Sequence, residues 1–293
     1  MYKFNRKHLS SIFLFLSLII SGCSPSLKEK SINETGSFKN NLTNKKRVVA
    51  LTSLTSDLVD RLSPESLIAI PGSRLLKSKD QFKNKIVVSQ GRNPPNIEKI
   101  IALKPDLVLG AKGFHDKALF QINDLGIEVI STEIKDWNDL ELLTEEISNY
   151  LEVDNQSLYL LAPYCNQPQG EVSTDSTIVL VSSSPLLSPN KKSWAGSILN
   201  KFYINNLIRD IQSKSGFDGY VTLSPETLLK KNPDNIILID TGNDMKELFL
   251  SKSYSSNLKA VKNNNIFTFN YYGLINPGSI DSINTACKKL IEL

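Results

Sequence analysis

The chain has 293 residues, of which 40% are hydrophobic, a proportion normal for a globular protein. Its 34 basic and 30 acidic residues give a formal net charge of +4 at pH 7. Three of the basic residues fall within the first eight positions and the rest of the chain is close to neutral at +1, so the broad positive surface that nucleic-acid binding requires is not expected.

The N-terminal segment has the pattern of a secretory signal, with a basic start followed by an apolar run at 9–20. This run is shorter than the roughly 20 residues that a permanent membrane-spanning helix needs. The residues Ile20-Ser21-Gly22-Cys23 resemble the bacterial lipobox, in which the cysteine becomes the lipid-modified N terminus. We therefore expect residues 1–22 to be removed and Cys23 to anchor the protein to a membrane, on the periplasmic or cell-surface side.

The remaining chain predicts an α/β fold in two lobes. Residues 23–46 are rich in Ser, Asn, Lys and Thr and predict a flexible tether. A continuous apolar run at 47–51 predicts a buried parallel strand, and strand-like and helix-like segments alternate after it. We place an N-terminal lobe at 47–138, a helical linker at 139–176 and a C-terminal lobe at 177–293, where a second alternating set begins.

An internal repeat indicates that the two lobes are built alike. The segment 96–109 recurs at 224–237, a shift of 128 residues, and each copy has a Pro-Asp pair between a predicted helix and a predicted strand. The apolar run 48–51 recurs at 178–181, a shift of 130 residues. In each copy an N-cap residue type starts the helix and the proline ends it before the buried strand.

Two segments resemble the vitamin B12 and ferric-siderophore periplasmic-binding family, namely 47–53 and Gln90-Gly91 followed by 97–108. The similarity extends over essentially the whole chain after residue 46. It implies two Rossmann-like lobes with parallel sheets, a helical linker and a ligand cleft between the lobes. It also implies a binding protein without a cofactor and without enzymatic activity. Such a protein delivers an iron chelate (ferric siderophore) or a corrinoid (cobalamin) to an ABC permease and its separate ATPase.

The ligand is expected to contact the loops that follow the strands, because open α/β sheets bind ligands at the carboxyl ends of their strands. Aromatic faces and a few cations suit a large chelate or corrinoid with anionic groups. The candidate residues in these loops are Ser53, Thr55, Gln90, Arg92, Lys112, Trp194, Tyr220, Tyr271 and Tyr272.

Two alternative functions stay open from the sequence. The first is haem binding by the same fold, with Tyr271, Tyr272 or His115 as an axial ligand. The second is a sensor or scaffold lipoprotein that retains the fold but recognises a protein. A purified sample that binds no chelate but has a stable protein partner would indicate the second.

Capture of a bare transition metal and catalysis are both disfavoured. Zinc and manganese sites use clusters of imidazole and carboxylate groups, whereas the only histidines are His8, within the predicted signal, and His115. The phosphate-binding loop, the nucleophile elbow and the His-Glu-x-x-His motif of metalloproteases are all missing from the sequence. We therefore predict neither a metal site nor an enzyme.

Glu98 and Glu226 occupy the same position in the two copies of the repeat, near the start of a helix, where the helix dipole favours a carboxylate. In the family that the sequence resembles, one exposed acid on each lobe contacts arginines of the permease, and we expect these two glutamates to do so. Beyond Cys23 the chain contains Cys165 and Cys287, which could form a disulfide if the fold brings them together. The sequence leaves this pairing open.

Overall fold

The computed structural model describes residues 45–90, 93–154, 161–166, 170–212, 218–242 and 244–293. The predicted signal, Cys23, the predicted tether up to residue 44, and Arg92 lie outside the described residues. Within the described residues, no helix combines the length and the apolar composition needed to cross a membrane.

The first lobe is built around a sheet of five parallel strands in the order β3-β2-β1-β4-β5. Its strands are β1 Val48–Ala50, β2 Leu67–Gly72, β3 Ile86–Gln90, β4 Leu107–Ala111 and β5 Glu128–Thr132. Its helices are α1 Ser53–Leu62, α2 Arg74–Lys77, α3 Ile97–Ala102 and α4 Asp116–Asn123, with a 3-10 turn at Asp80–Phe82. The direction of strand addition reverses between β1 and β4, and ligands of open α/β sheets commonly bind at such a point.

A long helix, α5 Trp137–Leu151, follows the first sheet. A capping box starts it, because Asp136 accepts a hydrogen bond from the amide of Asp139 and the Asp139 side chain accepts one from the amide of Asp136. It ends at Glu152, which has a left-handed backbone with φ of 56°. The described part of the chain after it contains a 3-10 turn at Pro163–Cys165.

The second lobe contains four parallel strands in the order β12-β11-β6-β9 and a separate antiparallel sheet in the order β10-β8-β7. The strands are β6 Ser176–Leu180, β7 Ser182–Ser183, β8 Leu186–Pro189, β9 Asn205–Asn206, β10 Tyr220–Leu223, β11 Asn235–Asp240 and β12 Ile266–Asn270. The helices are α6 Trp194–Lys201, α7 Pro225–Lys231, α8 Met245–Leu250, α9 Lys259–Lys262 and α10 Ile280–Ile291. The two parallel sheets confirm the predicted α/β fold in two lobes, whereas the antiparallel sheet was not predicted.

The aspartate of each repeated Pro-Asp pair connects two neighbouring strands. In the first lobe the Oδ2 atom of Asp106 accepts a hydrogen bond of 2.7 Å from the amide of Arg47, just before β1. In the second lobe the Oδ2 atom of Asp234 accepts bonds of 2.9 Å from the amide and 2.7 Å from the hydroxyl of Ser176, at the start of β6. The repeat therefore has a structural reason, since each carboxylate fixes where two central strands begin.

The two lobes share one buried apolar cluster. It contains Leu58 of α1, Leu140 of α5, Ile198 of α6 and Ile283 of α10, all fully buried. Burying aliphatic side chains of this size stabilises the folded chain by about 1.5–3 kcal/mol each. The lobes are therefore packed against each other through this cluster.

The disulfide left open by the sequence is formed. The Sγ atoms of Cys165 and Cys287 are 2.03 Å apart, and both residues are fully buried. The bond joins the turn after the long helix to α10, and the amide of Tyr164 beside it donates a 2.9 Å hydrogen bond to Asn284. The end of the chain is thus fastened to the segment between the lobes.

Candidate functional site

A cavity of about 750 Å³ lies between the lobes, within the size range of small-molecule sites. The first lobe contributes α2 and the residues just after it, and the second lobe contributes the carboxyl ends of β11 and β12 and one face of α10. The lining residues are Arg74, Leu75, Ser78, Lys79, Asp240, Thr241, Phe269, Asn270, Tyr271, Tyr272, Ser279, Asp281, Ser282, Thr285, Ala286 and Lys289.

The wall from the first lobe is positioned by the end of β2. Gly72 lies so close to β3 that a Cβ atom there would be 2.6 Å from the carbonyl oxygen of Ser89, so glycine is required. Ser73 caps α2, and Ser53, one of the predicted ligand residues, donates a 2.8 Å hydrogen bond to the Ser73 hydroxyl. Ser53, the first residue of α1, therefore supports the start of α2 next to the cavity.

Arg74 and Lys79 line the cavity but were not among the predicted residues. The rule that ligands lie beyond the carboxyl ends of strands applies to β2 as well, and Arg74 comes two residues after that strand ends. The predicted ligand residues come from the loops after other strands, and the loop after β2 was not among them.

Tyr271 and Tyr272, both predicted, line the cavity on a tight turn after β12. The turn needs Gly273, which has φ of +100° and whose Cβ, if present, would be 2.1 Å from the carbonyl oxygen of Ser282. The two rings meet edge to face with centroids 5.4 Å apart, and Tyr272 is 39% exposed. Burial, together with the neighbouring Tyr272, raises the pKa of Tyr271, so its hydroxyl is a neutral hydrogen-bonding group at pH 7.

Trp194 lies in the core behind this turn. It is 3% exposed, its ring stacks on Trp137 with centroids 6.4 Å apart, and its Nε1 donates a 2.8 Å hydrogen bond to the carbonyl of Gly273. The residue is not part of the cavity wall. This position does not support the predicted stacking of a ligand on Trp194, and it indicates instead that Trp194 positions the turn that carries the tyrosines.

Three other predicted ligand residues lie outside the cavity wall, and two of them contact other side chains of the protein. Thr55 is fully buried and bonds through its hydroxyl to Thr52, the N-cap of α1. Gln90 is exposed at the end of β3 and is not part of the cavity wall. Lys112 is exposed and pairs with Glu133 at 2.9 Å.

Tyr220 begins β10 and is partly buried against the core. Burial, with a further contribution from the nearby Tyr271, raises its pKa to about 12. It is therefore a neutral phenol at pH 7, and it is not among the residues that line the cavity.

Four charged side chains join the lobes at one end of the cavity. Asp57 of α1, whose side chain is 1% exposed, accepts hydrogen bonds from Arg61 Nε at 3.0 Å, Lys79 Nζ at 2.8 Å and the amide of Ile280 at 2.9 Å. Asp281 accepts from Arg61 at 2.5 Å and from Lys79 at 2.7 Å. We name Asp57, Arg61, Lys79 and Asp281 the interlobe clasp. Burial opposes the charge of Lys79, but its contacts with the two aspartates outweigh burial and raise its pKa.

Glu98 and Glu226 are both exposed, at the second positions of α3 and α7. Asn96 and Ser224 precede these helices and cap them through side-chain oxygens, as the repeat predicted. The backbone amide of Glu226 and the hydroxyl of Ser224 lower the pKa of Glu226, so this carboxylate is charged at neutral pH. Both acids are accessible, as docking would require.

Among the residues that the structure describes, no group of three or more His, Cys, Asp or Glu side chains could hold a metal ion. His115 is 5% exposed, and its Nδ1 accepts a 2.9 Å hydrogen bond from the amide of Ala111. Burial lowers the pKa of this imidazole, which is therefore neutral at pH 7. His115 therefore binds the last amide of β4, and it is not among the residues that line the cavity.

Two α/β lobes with a ligand-sized cavity at the ends of their strands define a two-lobed binding protein. The family model described as "Periplasmic binding protein" matches residues 48–152 and 165–271. The chain belongs to this family, and the resemblance seen in the sequence is confirmed.

The comparisons with individual proteins agree with the family. The probable siderophore-binding lipoprotein YfiY of Bacillus subtilis (strain 168) is 29% identical over an alignment of 151 residues. The match covers 46% of this chain and 46% of that relative, which is less than half of its length. A possible iron-binding (periplasmic solute-binding) protein from Staphylococcus epidermidis ATCC 12228 has a TM-score of 0.70 at 20% identity, over 85% of this chain and 98% of the other. The periplasmic vitamin B12 binding protein BtuF of Vibrio cholerae has a TM-score of 0.57 at 18% identity, over 85% and 97%. At these identities the two structures show a shared fold.

Proposed function

We propose that the chain is the substrate-binding lipoprotein of an ABC importer, which captures a ferric siderophore or a corrinoid outside the cytoplasm and delivers it to a membrane permease. The observation that carries the proposal is the cavity of about 750 Å³ between the lobes, lined by cations, tyrosines and hydroxyl groups. Chelates and corrinoids are large and present many oxygen atoms, which such a wall can bind by hydrogen bonds and ring contacts.

The relatives support this class of cargo. A probable siderophore-binding lipoprotein is similar in sequence, and a possible iron-binding protein and a vitamin B12 binding protein share the fold. Binding in such a protein is a reversible equilibrium without a chemical step. The chain then needs only a cavity that holds the cargo and an outer surface that the permease recognises.

Calorimetric titration of the purified protein with ferric siderophores, cobalamin and haemin tests the binding. We expect a dissociation constant in the micromolar range or tighter for one chelate or corrinoid. Binding of haemin alone would indicate the haem-binding alternative. A sample that binds none of these, but copurifies with a protein, would contradict the proposal in favour of a sensor or scaffold.

The docking surface is proposed to include Glu98 and Glu226, which lie exposed at equivalent places on the two lobes. Charge complementarity across an interface speeds encounter and fixes orientation more than it adds affinity. Reversing both, Glu98→Lys with Glu226→Lys, should abolish cargo uptake by cells and leave cargo binding by the purified protein unchanged.

A matched control is Glu145→Lys with Glu146→Lys, two exposed glutamates on α5 that give the same change of charge. This control should retain uptake. Normal uptake by the Glu98 and Glu226 double variant at normal expression would show that the pair only stabilises its helices.

The membrane anchor is proposed to be a lipid on Cys23. Mass spectrometry of the mature protein from its native membrane should show a chain that starts at Cys23 and carries the mass of a diacyl lipid. Replacing Cys23 by Ser should release the protein from the membrane or block its processing. A mature protein that starts elsewhere without lipid would contradict the anchor and leave cargo binding untouched.

A further inference from the structure

The positive charge of Lys79 in the cavity wall is already satisfied. Its Nζ is 2.8 Å from Asp57 and 2.7 Å from Asp281, within the interlobe clasp. Arg61 pairs with the same two carboxylates, so the clasp contains two cations and two anions and is neutral. Lys79 is therefore not the group that attracts a charged cargo.

The other two cations of the wall, Lys289 and Arg74, differ in their contacts with the rest of the protein. Lys289 donates a 3.1 Å hydrogen bond to the carbonyl of Thr268, and its Nζ lies 5.5 Å from the centroid of the Phe269 ring. Arg74 is exposed on α2, and within the described part of the chain its guanidinium has neither a hydrogen bond nor an ion pair. Outside the interlobe clasp, the cavity wall contains these two cations and one acid, Asp240. This part of the wall therefore has a net charge of one positive unit.

The rest of the wall is dominated by polar groups. Eleven of the sixteen lining residues are polar or charged and non-aromatic, two are tyrosines, and the apolar ones are Leu75, Phe269 and Ala286. A flat apolar cargo would cover these polar groups without offering hydrogen bonds, which is costly. An oxygen-rich anion would instead satisfy them, and the planar guanidinium of an arginine matches a carboxylate with two parallel hydrogen bonds.

We propose that the cargo is an anionic iron chelate whose free or iron-bound carboxylates and hydroxyls face this wall, and that Arg74 binds one of its carboxylates. This inference rests on the proposed function and narrows it to polycarboxylate chelates, as against neutral hydroxamate chelates, corrinoids and haem. Arg74 selects the charge of the cargo, and the hydroxyls of the wall hold its remaining oxygens.

The test is calorimetric titration of the full mature protein with four probes: ferric citrate, a neutral ferric trihydroxamate, cyanocobalamin and haemin. The wild type should bind ferric citrate at least about tenfold more tightly than any of the other three. Arg74→Ala should weaken ferric citrate binding by about tenfold or more. Arg74→Lys keeps the positive charge but loses the paired N–H donors of the guanidinium, so its affinity for ferric citrate should lie between those of the wild type and Arg74→Ala.

Lys77→Ala is the matched control, because Lys77 is exposed on the same short helix, carries the same charge and is not part of the cavity wall. It should leave ferric citrate affinity within about twofold of the wild type. Arg74→Ala and Lys77→Ala change surface side chains, and equal melting temperatures would confirm that both variants fold.

Tighter binding of the neutral chelate or of cyanocobalamin would overturn the inference while the proposed function stands. So would an Arg74→Ala variant that binds ferric citrate as well as Lys77→Ala does. If none of the four probes binds, the inference fails, and if the protein also copurifies with a protein partner, the proposed function fails with it.

Discussion

Removing the charge of Asp57 should destabilise the contact between the lobes. The Asp57 carboxylate is buried and accepts three hydrogen bonds, from Arg61, Lys79 and the amide of Ile280. Asp57→Asn keeps an oxygen that can accept from Ile280, at the first position of α10, but removes the negative charge that Arg61 and Lys79 share. The substitution therefore removes the charge, and one acceptor for the cations, with almost no change in the size of the side chain.

The expected loss follows from the exposure of the three side chains. A hydrogen bond to a charged group contributes about 1.5–3 kcal/mol, and breaking a fully buried ion pair costs about 3–5 kcal/mol. The side chain of Asp57 is 1% exposed, but those of Arg61 and Lys79 are 25% and 17% exposed and can be rehydrated in the variant. Because Asp281 still pairs with both cations, we expect a decrease of about 2 kcal/mol in the free energy of unfolding.

Urea denaturation followed by circular dichroism measures this loss, and a thermal melt should show a melting temperature lower by about 4–8 °C. The control is Asp60→Asn, the same substitution one turn along α1 at a half-buried aspartate outside the interlobe clasp. Burial raises the pKa of Asp60, which means that the folded state does not favour the charge of this carboxylate. Replacing it by an amide should therefore change the free energy of unfolding by less than about 0.5 kcal/mol. Equal effects of the two substitutions would refute the role assigned to the clasp.

Two further predictions concern α10 and the tyrosine turn. Reducing the disulfide, or replacing Cys165 and Cys287 by Ser, should lower the free energy of unfolding by about 4–5 kcal/mol, because the bond closes a loop with a sequence separation of 122 residues. Urea denaturation with and without reductant measures this loss. Trp194→Phe keeps an aromatic ring in the core but leaves the buried carbonyl of Gly273 without its hydrogen-bond donor, which should lower the free energy of unfolding by about 1–2 kcal/mol. Because the turn at Gly273 carries Tyr272, the same substitution should displace this tyrosine and weaken cargo binding. Unchanged stability and affinity in Trp194→Phe would show that the hydrogen bond does not position the turn.

The elements that the sequence predicted well are those with a local cause. The apolar runs at 48–51 and 178–181 form the central strands of the two parallel sheets, because only a strand covered on both faces tolerates continuous apolar residues. The Pro-Asp repeat located equivalent units, and Asp106 and Asp234 contact the starts of neighbouring strands as equivalent residues. Periodicity and capping are short-range properties, so one sequence is enough to read them.

The elements that the sequence did not predict depend on contacts between distant residues. The interlobe clasp pairs Asp57 with groups around Asp281, more than two hundred residues away in the chain, and neither residue has a local signature. Trp194 has the residue type expected of a ligand-binding surface, but it is buried because α6 packs against α5. Whether an aromatic residue faces a cavity or the core is decided by the packing of helices, which residue type alone does not reveal.

The connections of α10 explain how the cavity can be ready before the cargo arrives. The start of this helix is held by Asp57 of the other lobe, its middle is bonded through Cys287 to the segment between the lobes, and Ser282 and Thr285 on its exposed side line the cavity. A wall fixed at two points loses little conformational freedom when a ligand binds, so less of the binding energy is spent on ordering it. Substitutions on the wall, such as Arg74→Ala, should then change affinity with little change in stability, whereas substitutions in the interlobe clasp should lower stability first and affinity only as a consequence.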